Sequence, residues 1–425
     1  MRFLGALRSA LCSAALASAL SGCSATIDSL GSDPSSNGGS AGTAGMPPTT
    51  LAPVKAPSIV NTFNLVLGKS KAAGEEKIER AFEQLFYGDA TQVIYNPQGD
   101  SQAVIYDALH NDVRTEGIGL AMLITVELGR KDEFDRLWRY SKTQKELQGP
   151  AEGYFNSSCG EDTAAPCFDV YGMQLFVLTL MFAHNLWGST ADLPYASDAL
   201  ALLDQLQNKE AHNGGVVMGI GSAFEAESHL VREEPTLANA GYTTRSSLEM
   251  PAAYWYWGQA TGNPFWKAAA SASHAHLVKA ADADTGLWPM RSYFDGSPVE
   301  DSPGYTQQAY RTQLNLALDA LWRSAEADPA QAKLASRVVD FFYGQGIDTY
   351  GRTFTTDGTP IETNRAQALI SVNGALAVAA PSYPNRAAFV QAVWDQPIPS
   401  GNNRYYEGLL YLTSMLILNG QMLVH

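Results

Sequence analysis

Cysteine is scarce in this chain, with four in 425 residues. Cys12 and Cys23 lie in the N-terminal leader, so the folded part keeps only Cys159 and Cys167. These two lie close together in a polar loop, where an oxidising compartment would favour a small disulfide over two free thiols. Neither histidines nor a second cysteine pair complete a ligand set, so the sequence predicts no metal site.

Basic charge is also low. The chain has 28 Lys and Arg against 43 Asp and Glu, which gives a formal net charge of -15. Affinity for a nucleic-acid backbone rests on Lys and Arg. This balance therefore argues against a phosphate-rich ligand, and it favours a neutral substrate with no nucleic-acid partner.

Apolar runs of membrane-spanning length are missing, although the leader has a short one. Arg2 and Arg8 form a positive region, and Leu11 to Leu20 are too few to span a bilayer. Residues 20–23, Leu-Ser-Gly-Cys, resemble a bacterial lipobox, in which Cys23 is lipidated and becomes the mature N-terminus. The alternative is a signal peptide that is cleaved without lipidation, with Cys23 incidental.

These features predict three segments. Residues 1–22 form a lipoprotein signal peptide, residues 23–56 a Gly/Ser/Pro-rich tether too polar to fold, and residues 57–425 the folded domain. We expect a monomer that is exported to the bacterial cell envelope and contacts the membrane only through its lipid anchor.

Period-two alternation is nearly absent from the folded part. Twelve segments instead carry apolar residues at helical spacing, separated by Gly, Pro, Asn and Asp loops. Half of the segments are strongly apolar, as expected of inner helices sheathed by an outer ring. The pattern predicts an all-α (α/α)6 toroid, a six-hairpin barrel, although two helical domains would have the same number of helices.

Aromatic and acidic residues share the long loops between helices. Tyrosine and tryptophan rings stack on the C–H faces of pyranose rings, and carboxylates accept from their hydroxyls, so a sugar ligand is indicated. Trp288, in a Gly-Leu-Trp-Pro loop, is predicted to lie at the mouth of the toroid. The other tryptophans at helical spacing are predicted to be core residues: Trp138, Trp187, Trp255, Trp257, Trp322 and Trp394.

Several motifs, in this order, resemble glycoside hydrolase family 8, and within it most closely the reducing-end xylose-releasing exo-oligoxylanases. The resemblance covers about residues 75 to 425 and implies an (α/α)6 barrel that cleaves β-1,4-linked xylose, glucose or glucosamine chains with inversion and without a cofactor. The motifs are NDVRTEG (111–117), GRKDEFDRLWRYSKT, GYFNSSC, MFAHNLWG (181–188), DGTPIE (357–362) and NRYYEGLLYLTSMLILNG (403–420).

The resemblance assigns the general acid to Glu116, which follows a Thr and precedes an apolar, Gly-containing helix. Desolvation there would raise the pKa of its carboxyl toward the working pH. The alternative is a capping carboxylate at a helix N-terminus. Arg114 resembles the family arginine that contacts sugar. Asp169 lies in the segment where the family has an acid that grips the sugar. In an alignment without gaps, however, Tyr171 stands at the position of that acid.

The catalytic base departs from the family pattern. Relatives have an Asp three residues before the Arg of a Tyr-Arg pair, but here the pair is Tyr310-Arg311 and position 308 is Gln. An amide can position a water and cannot accept its proton. The base has therefore moved, the chemistry has changed, or hydrolysis is lost. Asp301 and Glu300, just upstream, could supply a replacement if their loop folds inward; the alternative is an ordinary solvated acidic loop.

Two further departures affect the cleft. Near residue 245, where relatives have an acidic turn, the chain reads YTTRSSLEMP, and no His follows DGTP to contact a terminal sugar. Two functions stay open: a glycosidase, acting on xylan first and then on glucan or chitosan, and a catalytically degenerate carbohydrate-binding lipoprotein. The residues expected to line the cleft are Arg114, Trp288, Gln308, Tyr310, Arg311, Arg404 and Tyr405.

Overall fold

The computed structural model describes residues 50–157, 167–236, 242–300, 302, 304–326 and 328–425. The predicted signal peptide, most of the tether, Cys23, Cys159 and Asp301 lie outside these ranges. Cys167 is disulfide-bonded. None of the helices in the described ranges is long and apolar enough to span a membrane.

The described residues contain thirteen α-helices, and all twelve helical segments of the sequence pattern fall on one of them. The extra helix is α1, a short helix before the first predicted one. The helices are α1 (Thr62–Leu67), α2 (Lys71–Tyr87), α3 (Thr115–Glu127), α4 (Lys131–Tyr140), α5 (Val170–Trp187), α6 (Tyr195–Asn213), α7 (Pro251–Thr261), α8 (Pro264–Ala280), α9 (Tyr310–Trp322), α10 (Pro329–Gly344), α11 (Gln367–Leu376), α12 (Arg386–Asp395) and α13 (Arg404–Leu418).

Six helices form an inner ring: α3, α5, α7, α9, α11 and α13. Each packs against the next, and α13 packs back against α3, which closes the ring. These helices are buried nearly all round; α5, for example, is buried continuously from Val170 to Ala183. The even-numbered helices from α2 to α12 bury mainly one face, as α10 does through Leu334, Val338 and Phe342. The fold is therefore the predicted (α/α)6 barrel.

Short strands lie in the loops and were not predicted. β1 (Tyr95–Gln98), β2 (Gln102–Asp107) and β3 (Asp112–Val113) form an antiparallel sheet in that order. They are too short for a clear alternating pattern. Two more antiparallel pairs are β4 (Thr243–Thr244) with β5 (Ser292–Tyr293), and β6 (Thr353–Phe354) with β7 (Pro360–Glu362).

The tryptophans are core residues, and the prediction for Trp288 is wrong. Its side chain is fully buried, and its indole N–H donates to the Leu277 carbonyl oxygen at 2.8 Å. The loop that carries Trp288 folds back onto α8, so the ring cannot meet a sugar. Trp138, Trp257 and Trp322 are buried. The remaining predicted core tryptophans pack against the core while partly buried: Trp187, Trp255 and Trp394.

Candidate active site

Two acidic residues lie at the N-terminal ends of neighbouring inner helices. Strand β3 leads directly into α3, whose first turn contains Glu116. Asp169 is the N-cap of α5, where its Oδ1 accepts from the backbone N–H of Gly172 at 3.0 Å. A helix N-terminus stabilises negative charge, so both positions suit a carboxylate.

Glycines allow these helix starts to approach each other. A Cβ on Gly172 would lie 2.7 Å from the carbonyl carbon of Thr115 and 2.9 Å from the backbone nitrogen of Glu116. A Cβ on Gly117 would collide with the Tyr405 ring of α13. Side chains at positions 117 and 172 would therefore push α5 and α13 away from Glu116.

Arg311 holds the Glu116 carboxylate. Its Nη1 donates to Glu116 Oε2 in an ion pair, with side-chain exposures of 6% for Arg311 and 18% for Glu116. The guanidinium carbon lies 4.4 Å from the centroid of the Tyr171 ring. Burial lowers the pKa of Arg311, but the combined effects of Glu116, Tyr406, Tyr171 and Asp169 outweigh burial and raise this pKa. Glu116 is thus oriented by a permanent cation while part of its side chain stays accessible.

Asp169 titrates in an unusual range. Burial first, and then the negative charge of Glu116, raise its pKa to about 6, against the opposing effects of the Gly172 N–H and Arg311. Its Oδ2 is buried beside the Glu116 backbone nitrogen. The site therefore contains a second carboxyl close to Glu116.

The tyrosines around this pair have different surroundings. Tyr405 is buried, and its hydroxyl has no hydrogen-bond partner in the described part of the chain. Tyr406 donates from its hydroxyl to the Gln307 carbonyl oxygen at 2.6 Å. The expectation that Tyr310 lines the cleft is wrong: it is fully buried, and its hydroxyl donates to the Arg352 carbonyl oxygen.

The two remaining arginines predicted to bind sugar also differ. Arg114 is 28% exposed and pairs through Nε with Asp112 Oδ2 at 3.0 Å, so it borders the start of α3. The prediction for Arg404 is wrong. It is buried, and its guanidinium donates to three backbone carbonyl oxygens, those of Ala90, Val93 and Gly401, so it fastens a loop.

Gln308 lies exposed in a 3₁₀ turn, Gln307–Ala309, just before α9. Its Oε1 accepts from Nη1 of Arg245. Arg245 also pairs with Glu233, from Nη2 to Oε1 at 2.7 Å, and Arg291 Nε lies 2.5 Å from the other oxygen of Glu233. Two guanidinium groups thus share one carboxylate beside the amide.

Sequence reasoning missed Glu233 and Arg291 and gave no role to Arg245. The departure at YTTRSSLEMP is the signal that could have pointed to Arg245. Glu233 and Arg291 lie in separate loops without a recognisable motif, so only the folded chain brings them together.

Tyr406 links this group of residues to Glu116. Its hydroxyl is bonded to the turn that carries Gln308. Burial raises the pKa of Tyr406, with Arg311 opposing and Glu116 adding to the shift, so its ring lies near that ion pair. Among the described residues, no group of three or more His, Cys, Asp or Glu could hold a metal ion.

A ring of six inner helices with a carboxyl pair at one end is an arrangement for acid–base chemistry on a bound ligand, and family comparison agrees. The sequence profile of glycosyl hydrolases family 8 matches residues 96–420. The chain belongs to this family of glycosidases.

Among its relatives is the reducing-end xylose-releasing exo-oligoxylanase Rex8A of Paenibacillus barcinonensis, 31% identical over 82% of this chain and 92% of the relative. A reducing end xylose-releasing exo-oligoxylanase of Halalkalibacterium halodurans is 32% identical over 83% and 91% of the two chains. Endoglucanase C of Ruminiclostridium cellulolyticum is 24% identical over 83% of this chain and 73% of the relative.

Solved structures agree with the fold. The structure of Rex8A from Paenibacillus barcinonensis complexed with xylose has a TM-score of 0.78 and 30% identity, and the match covers 86% of this chain and 97% of that one. A Rex8A mutant complexed with an α-L-arabinofuranosyl-xylotetraose also gives a TM-score of 0.78 with 30% identity, over 86% and 96% of the two chains. Relatives of this chain therefore bind xylo-oligosaccharides.

Proposed function

We propose that the protein hydrolyses β-1,4-linked oligo- or polysaccharides, xylan-type chains first and then glucan or chitosan, with Glu116 as the general acid. The observation that carries the proposal is the geometry of Glu116, which lies at the head of an inner helix, is oriented by the buried Arg311 and keeps part of its side chain accessible. Relatives named as exo-oligoxylanases and endoglucanases support the substrate class.

Because of the contact with Arg311, the two carboxyl oxygens of Glu116 have different roles. Oε2 accepts from the guanidinium, so it cannot donate to a substrate at the same time. We assign proton donation to Oε1. Arg311 then fixes the direction of the carboxyl, which matters because proton transfer requires hydrogen-bond reach to the leaving oxygen.

Asp169 takes the role of the acid that grips the sugar. Its Oδ1 is used by the helix cap, so we assign the contact with a sugar hydroxyl to its buried Oδ2, which substrate binding would have to uncover. Such a contact also stabilises the ionised form of Asp169. Arg114, partly exposed at the start of α3, is proposed to contact the same chain of sugars. Tyr405 is buried, as Tyr310 is, so we assign it no contact with the sugar.

The base is the open part of the mechanism. An inverting glycosidase needs a second carboxylate roughly 6.5–9.5 Å from the acid to deprotonate water. The Gln308 oxygen is already occupied by Arg245, which makes it a poor holder of that water. We therefore propose that Asp301, which lies outside the described residues, acts as a replacement base that is less effective than a carboxylate at position 308 would be.

The direct test replaces the proposed acid with its isosteric amide. Glu116→Gln should lower the rate of product release from xylo-, cello- and chito-oligosaccharides by roughly 10²–10⁴-fold. A matched control is Glu407→Gln, because Glu407 also lies in the first turn of an inner helix but accepts from the Gln367 N–H at 3.1 Å. Full activity in Glu116→Gln would end the proposal.

A second function is favoured by one contact, the bond between Arg245 and Gln308. With an amide whose oxygen is occupied at the position of the usual base, the barrel could serve as a carbohydrate-binding lipoprotein that no longer hydrolyses its ligand. Calorimetry that shows oligosaccharide binding, together with no product after long incubation, would favour this function over hydrolysis.

We also propose that the protein is anchored in the bacterial cell envelope through a lipid on Cys23, with residues 1–22 removed and residues 23–56 as the tether. The lipobox-like Leu-Ser-Gly-Cys supports this. Cys23→Ser should release the protein from the membrane fraction. A disulfide between Cys159 and Cys167 is proposed as well, and mass spectrometry of unreduced peptides would test it.

A further inference from the structure

A groove away from the Glu116 pair has the composition of a sugar-binding surface. Its volume is about 400 Å³. Tyr242 and Tyr293 present exposed rings there, 69% and 40% accessible. Phe294 packs edge-on against Tyr242, with 6.0 Å between ring centroids. The remaining lining residues are Glu225, Glu227, Ser228 and Asp295.

Two tight turns fix the walls of this groove. In the first, Glu225 Oε2 accepts from the backbone N–H groups of Glu227 and Ser228, at 3.0 and 2.6 Å. In the second, Asp295 Oδ1 accepts from the N–H and the hydroxyl of Ser297, at 2.9 and 2.6 Å. These bonds fix the orientation of each carboxylate. The groove therefore offers acceptors that need no rearrangement before binding.

The chemistry of the lining selects the ligand. Exposed rings stack on the apolar faces of pyranose units, and fixed carboxylate oxygens accept from hydroxyl groups. None of the described residues that line the groove is basic, so an anionic ligand would find no cation in the lining itself. A neutral sugar unit satisfies both kinds of group.

The groove is also connected to the candidate active site by a short extended segment. Phe294 N–H donates to the Tyr242 carbonyl oxygen at 2.6 Å, next to the pairing of β4 with β5. Three residues beyond Tyr242 is Arg245, which holds Gln308. At the rise of an extended strand this separation is at most roughly 10 Å, so one oligosaccharide could contact both places.

We propose that the Tyr242 groove, lined by Tyr242, Tyr293, Phe294, Glu225 and Asp295, is a second carbohydrate-binding surface for a neutral, β-linked chain that extends beyond the candidate active site. This inference rests on the proposed carbohydrate ligand and not on hydrolysis. It predicts that the groove gives long chains a higher affinity than short ones.

Binding is measured by calorimetry on the full chain in a Glu116→Gln background, with xylobiose and xylohexaose as ligands. Tyr242→Ala should weaken xylohexaose binding roughly three- to tenfold, the effect of losing one stacked ring, and leave xylobiose binding unchanged. Tyr242→Phe, which keeps the ring, should restore the affinity. Tyr343→Ala is the matched control, because Tyr343 is equally an exposed tyrosine but lies on α10.

Three results would overturn the proposal that the Tyr242 groove binds carbohydrate. They are an unchanged xylohexaose affinity in Tyr242→Ala, an equal loss of affinity in Tyr343→Ala, and no xylohexaose binding at all. Binding that depends on added Ca²⁺ and is abolished by a chelator would assign the carboxylates to a cation instead and overturn it too. The proposed function fails separately: wild-type activity in Glu116→Gln removes the general acid, while the dependence of affinity on Tyr242 would still stand.

Discussion

Two parts of the candidate site are built in contrasting ways. The acid wall, which consists of Glu116, Asp169 and Arg311, stands on inner helices and is largely buried. The amide wall, which consists of Gln308, Arg245, Glu233 and Arg291, stands on loops and a 3₁₀ turn and is more exposed, with Arg245 and Arg291 at 26% and 36%.

The charge balance of the two walls also differs. The acid wall pairs two carboxyls with one guanidinium, whereas the amide wall pairs two guanidinium groups with one carboxylate. The family resemblance implies an Asp where Gln308 stands and an acidic turn near Arg245. Compared with that expected pattern, Gln308 and Arg245 both make the amide wall more positive, and the two residues suit each other, because a guanidinium beside a catalytic base would oppose its protonation.

The contrast indicates that helix packing leaves little room for substitutions in the acid wall. Each of its residues is fixed by neighbours that would have to move, such as the close approach of Gly172 to the start of α3. The amide wall is held by ion pairs between loop side chains, so we expect its chemistry to change more readily while the barrel stays intact. A substitution that alters activity without unfolding is therefore expected there.

The largest expected effect comes from restoring a carboxylate to the amide wall. Gln308→Asp together with Arg245→Met should raise the hydrolysis rate by roughly 10²–10⁴-fold, the usual contribution of general base catalysis. Gln308→Asp alone should gain less, because Arg245 would pair with the new carboxylate and hold it ionised. The measurement is kcat/KM on xylo-oligosaccharides.

Gln307→Asp serves as the control, since it adds the same charge one residue earlier in the same exposed turn. No gain in the double variant, with substrate still bound, would show that a base at position 308 is not what limits the reaction. The proposed Asp301 would then become the stronger assignment.

Removing the cation of the acid wall should have the next largest effect. Arg311→Met leaves Glu116 and Asp169 facing each other in a buried site, and breaking a buried ion pair in this way costs about 3–5 kcal/mol of folding free energy. Urea unfolding measures it. A loss below about 1 kcal/mol would contradict the view that Arg311 organises the acid wall. A Glu116→Gln/Arg311→Met double variant that is as stable as the wild type would support this view.

The titration of Asp169 gives a smaller, pH-dependent effect. Because its pKa is raised from 3.8 to about 6 in the folded chain, the folded state binds more protons than the unfolded state between these values. Stability should therefore fall as pH rises from about 4 to about 6, by at most about 3 kcal/mol from this group, and stay level above. Unfolding curves across that range measure the slope.

Asp169→Asn is the matched variant, because an amide oxygen can still accept from the Gly172 N–H and cap α5. It should lose this part of the pH dependence and be more stable than the wild type near neutral pH. An identical slope in both proteins would mean that Asp169 does not titrate in this window.

The barrel could be predicted from the sequence because helical periodicity repeats in every inner and outer helix, and the apolar inner helices stand out. The acid wall could be predicted in part, since Glu116 lies in a recognisable motif. Arg404 and Trp288 could not be assigned correctly, because an arginine near a motif and a tryptophan in a loop look alike whether they face a ligand or a backbone carbonyl. Glu233 and Arg291 come from distant loops without periodicity, so no local pattern places them beside Gln308.

The smallest expected effect comes from an Arg→Met substitution in the amide wall, the same substitution that should destabilise the acid wall. Arg245→Met should cost at most about 1 kcal/mol of folding free energy, because Arg245 is partly exposed and Glu233 keeps Arg291 as a partner at 2.5 Å. Arg291→Met should be equally mild for the same reason.

The double variant, Arg245→Met with Arg291→Met, leaves Glu233, only 9% exposed, without either cation. Its cost in folding free energy should therefore exceed the sum of the two single-variant costs by about 0.5–3 kcal/mol. Additive losses in urea unfolding would mean that the two arginines act independently, and a cost for Arg245→Met as large as that for Arg311→Met would remove the distinction between the walls.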